Sequence, residues 1–289
     1  MPNICTNKVV VTGPADAVAR FVEAAVGPVA ADHLGTHSTE LRIMEEVEAG
    51  RSVEEAFRNA NLRLDALNHQ LTTLPFDYEL SGEPLLAVPD DYEEWKKETL
   101  DSKRTHELMD ESAGSVKGKV SHLSFESLVP MPDAVKQESW RLAPYGFSLS
   151  EWGPKFFFGP IDAPEISSVP TFGTEAPGDA TAVYPLFDTP NSPVFPGLLN
   201  ASKGHPDLLF LSGFVDIDCD EFKYFACKAG ETLAEGAVET AENLPESCFL
   251  NDEDTDEEDE RYVSVSATLD YLAETAAIEA SENDAAPKP

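Results

Sequence analysis

The chain has 289 residues, and its 54 Asp and Glu against 20 Lys and Arg give a net charge of −34. Because 42% of its residues are hydrophobic, it can form a core and is not disordered throughout. No apolar run approaches the roughly 18 residues of a transmembrane helix, and so negative a chain should be repelled by nucleic acid and anionic membranes.

The compartment is predicted from the opening residues and the cysteines. Residues 1–13 lack a basic stretch followed by an apolar one, so we expect no signal peptide. The four cysteines lie far apart, without CxxC spacing: Cys5, Cys219, Cys227 and Cys248. This usage is typical of a reducing cytoplasm and predicts neither disulfides nor a zinc site.

The first half of the chain predicts a strand, a helix and a helical insertion. Residues 7–13 predict a strand, and residues from Pro14 onwards predict a helix with apolar positions on one face. Residues 38–71 predict two helices that break near Gly50, because Ser52 can cap the second with Glu55 as its capping-box partner. Further along, residues 90–109 predict a charged helix, and the alternation in 123–129 predicts a strand.

The second half predicts mostly strands. Residues 182–188 predict a strand in which Pro185 marks an edge or a bulge. A short helix follows in 192–202, and the last strands of the body are predicted at 208–216 and 221–230. Beyond them, residues 267–280 predict a helix that can dock on the body.

This element order predicts an α+β fold. Without the insertion, it is the split β-α-β plan of a ferredoxin-like sandwich, with the first strand in the middle of an antiparallel sheet. We expect residues 1–235 to form this body, with the helical insertion at about 38–111, and residues 236–289 to form an acidic C-terminal segment.

Charge is concentrated in the last quarter of the chain. Residues 216–289 hold 22 acidic and 4 basic residues. Eight of those acids lie between positions 251 and 261, where we expect a solvated, self-repelling run that either only keeps the protein soluble or binds a partner. These predicted partner-binding residues are Asp252, Glu253, Asp254, Asp256, Glu257, Glu258, Asp259 and Glu260.

Several segments resemble one protein family in chain order. They are the opening residues 1–7 (MPNICTN), 125–132 (FESLVPMP), 152–156 (WGPKF) and 187–193 (FDTPNSP). Together they resemble the YubB-type ferredoxin-like domain family of phage and plasmid proteins, over roughly residues 1–230. The resemblance implies a ferredoxin-like fold and an origin in a mobile element, and hence a location in the host cytoplasm.

The size and acidity also resemble a second family. This is the Drc-type single-stranded-DNA-binding transcription cofactor of phages that carry a giant virion RNA polymerase. The resemblance implies single-stranded DNA as a ligand, with phage RNA polymerase or replication proteins as partners.

No residue pattern predicts catalysis or a cofactor. His33 and His37 have helical spacing but no third ligand, so surface histidines are the preferred interpretation. The acidic residues from Asp216 to Glu221 resemble half a calcium loop, but loop position 6 is Glu221 where glycine is needed, so a solvated turn is preferred. No phosphate-binding loop, nucleophile elbow or zinc-protease motif is present. We therefore predict a protein that is not an enzyme and needs no cofactor or metal.

One stretch suits nucleic acid. Residues 117–158 contain five basic and four acidic residues, and aromatic residues lie between the basic ones. Single strands bind where bases stack on aromatic rings beside cations. The predicted nucleic-acid-binding residues are Trp140, Arg141, Tyr145, Trp152, Lys155, Phe156, Lys117 and Lys119. The alternative is that aromatic residues such as Trp152 and Phe157 are core.

Two functions follow from these patterns. The first is a phage single-stranded-DNA-binding protein, sequence-nonspecific and homo-oligomeric, that acts as a cofactor in transcription or DNA replication. The alternative is an acidic DNA mimic, or another anti-defence protein, that binds and inhibits a host nucleic-acid enzyme. A DNA mimic requires carboxylates spread over the folded surface, whereas an acidic tail that recruits partners would concentrate them in one run, such as residues 251–261.

Overall fold

The structure of the protein is a computed structural model. It describes residues 3–29, 37–71, 86–112, 119–138, 147–154, 157, 159–168, 178–249 and 263–285. The chain divides into two compact units. The first unit comprises Met1–Ala30, Gly118–Pro130 and Glu151–Pro289, and the second comprises Ala31–Lys117 and Met131–Ser150.

The described residues form nine strands, all in the first unit. They are β1 (Ile4–Pro14), β2 (Gly27–Pro28), β3 (Val120–Ser121), β4 (Glu165–Ser167), β5 (Asp179–Val183), β6 (Phe187–Pro190), β7 (Leu209–Asp216), β8 (Glu221–Lys228) and β9 (Glu231–Val238). Strands β2 and β3 pair with each other, and the other seven form one antiparallel sheet in the order β4-β5-β1-β7-β8-β9, with β6 also paired to β1.

The described helices have the following bounds. They are α1 (Ala15–Ala24), α2 (Ser38–Glu48), α3 (Val53–Leu71), α4 (Tyr92–Ser112), α5 (Phe125–Leu128), α6 (Asp133–Lys136), α7 (Phe195–Gly204) and α8 (Val265–Ala285). Residues Ser148–Trp152 form a π-helix, and Ala241–Asn243 and Glu246–Cys248 form 3₁₀ helices. Within the described residues, no helix is both long and apolar enough to span a bilayer.

Strand β1 lies in the middle of the sheet, as predicted. It pairs on one side with β7 and on the other with β5 and then β6, which lie opposite its two ends. The gap between β5 and β6 contains Pro185, which has no N–H for the ladder. The sequence prediction of an α+β fold with an antiparallel sheet is confirmed.

Helices cover both faces of the sheet. On one face, Phe21 of α1 meets Phe210 edge-on at 5.2 Å between ring centroids, and Phe195 of α7 stacks on Phe225 at 4.9 Å. On the other face, α8 buries an apolar stripe against β1, β7 and β8. The predicted docking of the C-terminal helix is confirmed.

Residues 123–129 are not a strand. Residues Phe125–Leu128 form α5, and the hydroxyl of Ser124 accepts a hydrogen bond from the Ser127 N–H at 3.3 Å. The strand prediction from alternation was wrong because the serine at position 124 caps a helical turn, an option that period-two hydrophobicity does not register.

Strand β9 was not predicted from the sequence. It follows β8 through a two-residue turn at Ala229 and Gly230, whose φ angles are +53° and +79°. Such left-handed pairs make the tight turns that suit the twist of a hairpin. The expected boundary between residues 235 and 236 therefore falls inside a strand of the sheet.

The second unit contains the helical insertion. Helices α2 and α3 are separated at Gly50, whose φ is +94°, and the Ser52 hydroxyl accepts a hydrogen bond from the Glu55 N–H at 3.2 Å. The predicted break is confirmed. The unit's core comprises Ile43, Ala56, Phe57 and Ala60, with Val47, Val53, Leu86, Tyr92 and Trp95 packed around it.

Candidate functional site

Most of the predicted nucleic-acid-binding residues lie outside the part of the chain that the structure describes. These are Lys117, Trp140, Arg141, Tyr145, Lys155 and Phe156. The predicted partner-binding run, Asp252 to Glu260, also lies outside it. Their roles stay predictions, and only Lys119 and Trp152 are placed.

Trp152 is a core residue. Its side chain is fully buried, and the indole N–H donates a hydrogen bond to the Val129 carbonyl at 2.9 Å. A buried tryptophan needs such a partner for its single polar group. The prediction that Trp152 stacks a nucleic-acid base is therefore corrected, because neither face of its ring is open to a ligand in this structure.

Phe157 and Lys119 have opposite surroundings. Phe157 is buried and stacks on Phe125, with 5.3 Å between ring centroids and 11° between planes, which favours the core alternative for that residue. Lys119 is exposed beside β3, and its carbonyl accepts a hydrogen bond from the Val29 N–H. Of the two described candidates for nucleic-acid binding, only Lys119 remains accessible.

The opening segment of the YubB-type resemblance builds a polar network around β1. Asn3 and Asn191 bond reciprocally, since the Asn3 N–H donates to the Asn191 side-chain oxygen at 2.7 Å and the Asn191 N–H donates to the Asn3 carbonyl at 3.1 Å. Asn7 donates to the Thr189 hydroxyl at 2.8 Å. This network ties residues 3–7 to β6 and to Asn191, which follows it.

Cys5 is unsuited to nucleophilic chemistry. Its thiol is buried and donates to the Asp216 carboxylate at 3.4 Å. Burial, and then the bond and charge of Asp216, raise the pKa of Cys5 to about 12. The thiol therefore stays protonated near neutral pH, where only a thiolate would attack.

The other resembling segments meet through close backbone contacts. A Cβ at Gly153, where φ is +98°, would lie 2.1 Å from the Pro193 carbonyl oxygen, and a Cβ at Gly197 would lie 2.4 Å from the Phe125 ring. In the first unit, Gly153, Pro193 and Phe125 of these segments therefore have a packing role.

Helix α8 covers the sheet face opposite the one on which α1 and α7 pack. Leu269, Leu272 and Ala276 are fully buried against this face. Lys8 of β1 pairs with Asp270 of α8, and the Tyr224 hydroxyl donates to Glu279 at 2.6 Å. That hydrogen bond, with burial, raises the pKa of Tyr224 to about 12. This face is therefore closed to a ligand, which residue type alone did not reveal.

Carboxylates are distributed over the folded surface. Thirteen of the 54 acidic and five of the 20 basic residues lie outside the described part, which leaves 41 and 15 and a net charge of −26. Exposed carboxylates lie on α1, α2, α3, α4, α8 and β9. Among them are Asp16, Glu45, Glu54, Glu98, Asp101, Glu235, Glu274 and Glu282. The concentration of acids at positions 251–261 is thus only part of the charge.

The metal-like patterns behave as ordinary turns and pairs. The β7–β8 connection is a turn, and Asp216, the last residue of β7, accepts a hydrogen bond from the Cys219 N–H at 3.2 Å. His37, directly before α2, lies 4.0 Å from Glu40 in the first turn of that helix. Within the described ranges, no group of three or more His, Cys, Asp or Glu residues could hold a metal ion.

Comparison with known proteins gives one structural similarity. No family model matches the sequence, and no curated protein matches it. The chain is similar to the crystal structure of a protein api92 from Yersinia pseudotuberculosis, described by the family model DUF1281, at 10% sequence identity. The match covers 82% of this chain and 98% of that one, with a TM-score of 0.39. At that level it supports no conclusion about function.

Proposed function

We propose that this protein binds the basic, nucleic-acid-binding surface of a host enzyme and inhibits that enzyme, without catalysis of its own. The observation that carries the proposal is the net charge of −26 on the described residues, with exposed carboxylates on most of the long helices and on β9. An array of anions on a folded surface attracts the same cationic grooves that attract phosphates. The buried Trp152 and the covered sheet face remove two routes by which the described part could bind DNA itself.

A second candidate is the phage single-stranded-DNA-binding cofactor. The mixed basic and aromatic composition of residues 117–158 favours it, as does the exposure of Lys119 in that stretch. Here phage RNA polymerase or replication proteins would be partners, and the acidic run would recruit them or tune release. A homo-oligomer would align several copies of this basic and aromatic stretch along one strand of DNA.

The family assignment and location belong with these proposals. We propose a ferredoxin-like core of the YubB type, carried by a phage and acting in the host cytoplasm. Its support is the strand order: β5 lies between β1 and β4, and β1 lies between β5 and β7. Helix α1 follows β1, and α7 precedes β7, so two β-α-β units interleave.

Binding of labelled oligonucleotides distinguishes the two functions. The inhibitor should shift neither single-stranded nor duplex DNA at any salt concentration. It should instead displace labelled duplex from a purified RNA polymerase or a restriction endonuclease, less effectively at about 0.2 M than at about 0.05 M salt, because the attraction is ionic. A shift of the single-stranded oligonucleotide by the intact protein at low salt would overturn the inhibitor and favour the second candidate.

A further inference from the structure

Strand β9 forms one edge of the large sheet. It pairs with β8 on one side, and within the described ranges no strand pairs with its other side. An eight-residue edge presents a row of backbone N–H and C=O groups that another strand can take up. Folded proteins usually blunt such edges, so an accessible one indicates a site for strand addition.

Part of this edge is blunted, and part has no strand partner among the described residues. Between the pairs Ala226–Ala234 and Cys227–Thr232 the register shifts, which makes Leu233 the extra residue of a bulge. The Leu233 carbonyl accepts a hydrogen bond from the Asn283 side chain at 2.6 Å. The bulge and its bond end regular pairing at that point, and residues 234–238 remain as the regular part of the edge.

The side chains of this regular part differ between the two faces. Ala234 and Val238 pack in the cluster under α8, and a Cβ at Gly236 would lie 2.3 Å from the Tyr224 hydroxyl oxygen on that side. Because side chains alternate along a strand, Glu235 projects on the opposite face, and it is exposed. Glu239, directly after the strand, is exposed too.

We propose that residues 234–238 bind an extended, basic segment of a partner protein, which joins the sheet next to β9. Backbone hydrogen bonds would supply the affinity, and Lys or Arg opposite Glu235 would supply selectivity. A second copy of β9 is disfavoured as occupant, since it would bring further glutamates to the same acidic edge. The partner class follows from the proposed function, but the edge itself is a separate observation.

Synthetic peptides test the mode of binding. The probe is a peptide of alternating lysine and valine, compared with one of alternating glutamate and valine and with one of alternating lysine and proline. The lysine–valine peptide should bind in fluorescence anisotropy and should slow hydrogen exchange at residues 234–238. The lysine–proline peptide has the same charge but cannot form a strand, so it should bind at least about tenfold more weakly.

Two protein variants locate the site. Glu235→Lys should weaken binding of the lysine–valine peptide by about fivefold or more, because an opposite-charge pair becomes a like-charge pair. Glu274→Lys on α8 changes the net charge equally at another exposed position and should change affinity by less than about twofold. Any one of three results would overturn the proposal. These are equal losses of peptide affinity in the two variants, equal affinity for the lysine–proline peptide, and hydrogen-exchange protection at another part of the chain instead of at residues 234–238.

The two proposals can fail separately. If the intact protein displaces duplex from an enzyme but the peptide leaves β9 unprotected, the edge site is wrong and the inhibitor stands. If the peptide protects β9 while no enzyme loses its duplex, the edge site stands and the inhibitor is wrong.

Discussion

At the scale of single residues, burial decides the role of an aromatic side chain. Replacement of Trp152 by Ala should lower the free energy of unfolding by about 3–5 kcal/mol, because it leaves a cavity and orphans the Val129 carbonyl. Urea denaturation measures this change. Val120→Ala is the matched control, since Val120 is 57% exposed and should change stability little. Similar stability of both variants would show that the indole is not part of the core.

The cysteines differ in a way that alkylation can measure. Cys219 is exposed, whereas Cys5, Cys227 and Cys248 are buried. Burial also raises the pKa of Cys227 to about 12. Iodoacetamide at pH 8 should therefore add to the native protein once, at Cys219, as intact-mass and peptide-mass spectrometry would report. Desolvation and then Asp216 raise the pKa of Cys219, so the rate of its alkylation should increase as the pH rises above 9. Rapid modification of Cys5 in the native protein would contradict its placement.

At the scale of elements, the sequence predicted those helices and strands whose residue patterns lie within the element itself. The break between α2 and α3 was found from Gly50 and Ser52, and β7 and β8 were found from their apolar runs. The helix at α5 was missed because a capping hydroxyl outweighed an alternating pattern, and β9 was missed because its alanines and glutamates carry weak strand propensity.

The candidate site was harder to predict than the fold, for a physical reason. Residue type indicates that a tryptophan or a lysine can bind nucleic acid, but burial depends on contacts between distant segments. Trp152 is satisfied by Val129, 23 positions away, and the sheet face is covered by a helix that begins at Val265. The sequence around a buried residue does not indicate which distant segment will cover it. The excess of carboxylates, in contrast, follows directly from the amino-acid composition.

Helix α8 should behave as part of the core. Leu272→Ala removes a fully buried side chain between α8 and the sheet and should cost about 2–5 kcal/mol of unfolding free energy, in a single cooperative transition. Ile278→Ala on the same helix removes a side chain that is 58% exposed and should cost little. Circular dichroism with chemical denaturation compares them. An unchanged midpoint for Leu272→Ala would mean that α8 docks too weakly to close the sheet face.

At the scale of the whole molecule, one charge distribution has opposite effects on stability and on binding. Repulsion among the carboxylates of a chain with net charge −34 destabilises the compact state. Salt screens this repulsion, because the Debye length falls from about 30 Å at 0.01 M to about 8 Å at 0.15 M. The melting temperature should therefore rise over this range, whereas displacement of duplex from a basic enzyme should weaken. Scanning calorimetry and the displacement assay, run in the same buffers, measure the two trends.

A charge-reduced variant tests whether both trends share this cause. Glu98→Gln, Glu235→Gln and Glu274→Gln together neutralise three exposed carboxylates on α4, β9 and α8. The triple variant should melt higher than the parent at low salt, should gain less from added salt, and should displace duplex less effectively, because the same anions cause the self-repulsion and the attraction. A melting temperature that is independent of salt in the parent would show that the folded state tolerates its charge without strain. A parent whose displacement of duplex strengthens with salt would bind through apolar contacts, and the spread of carboxylates would then not be what the partner recognises.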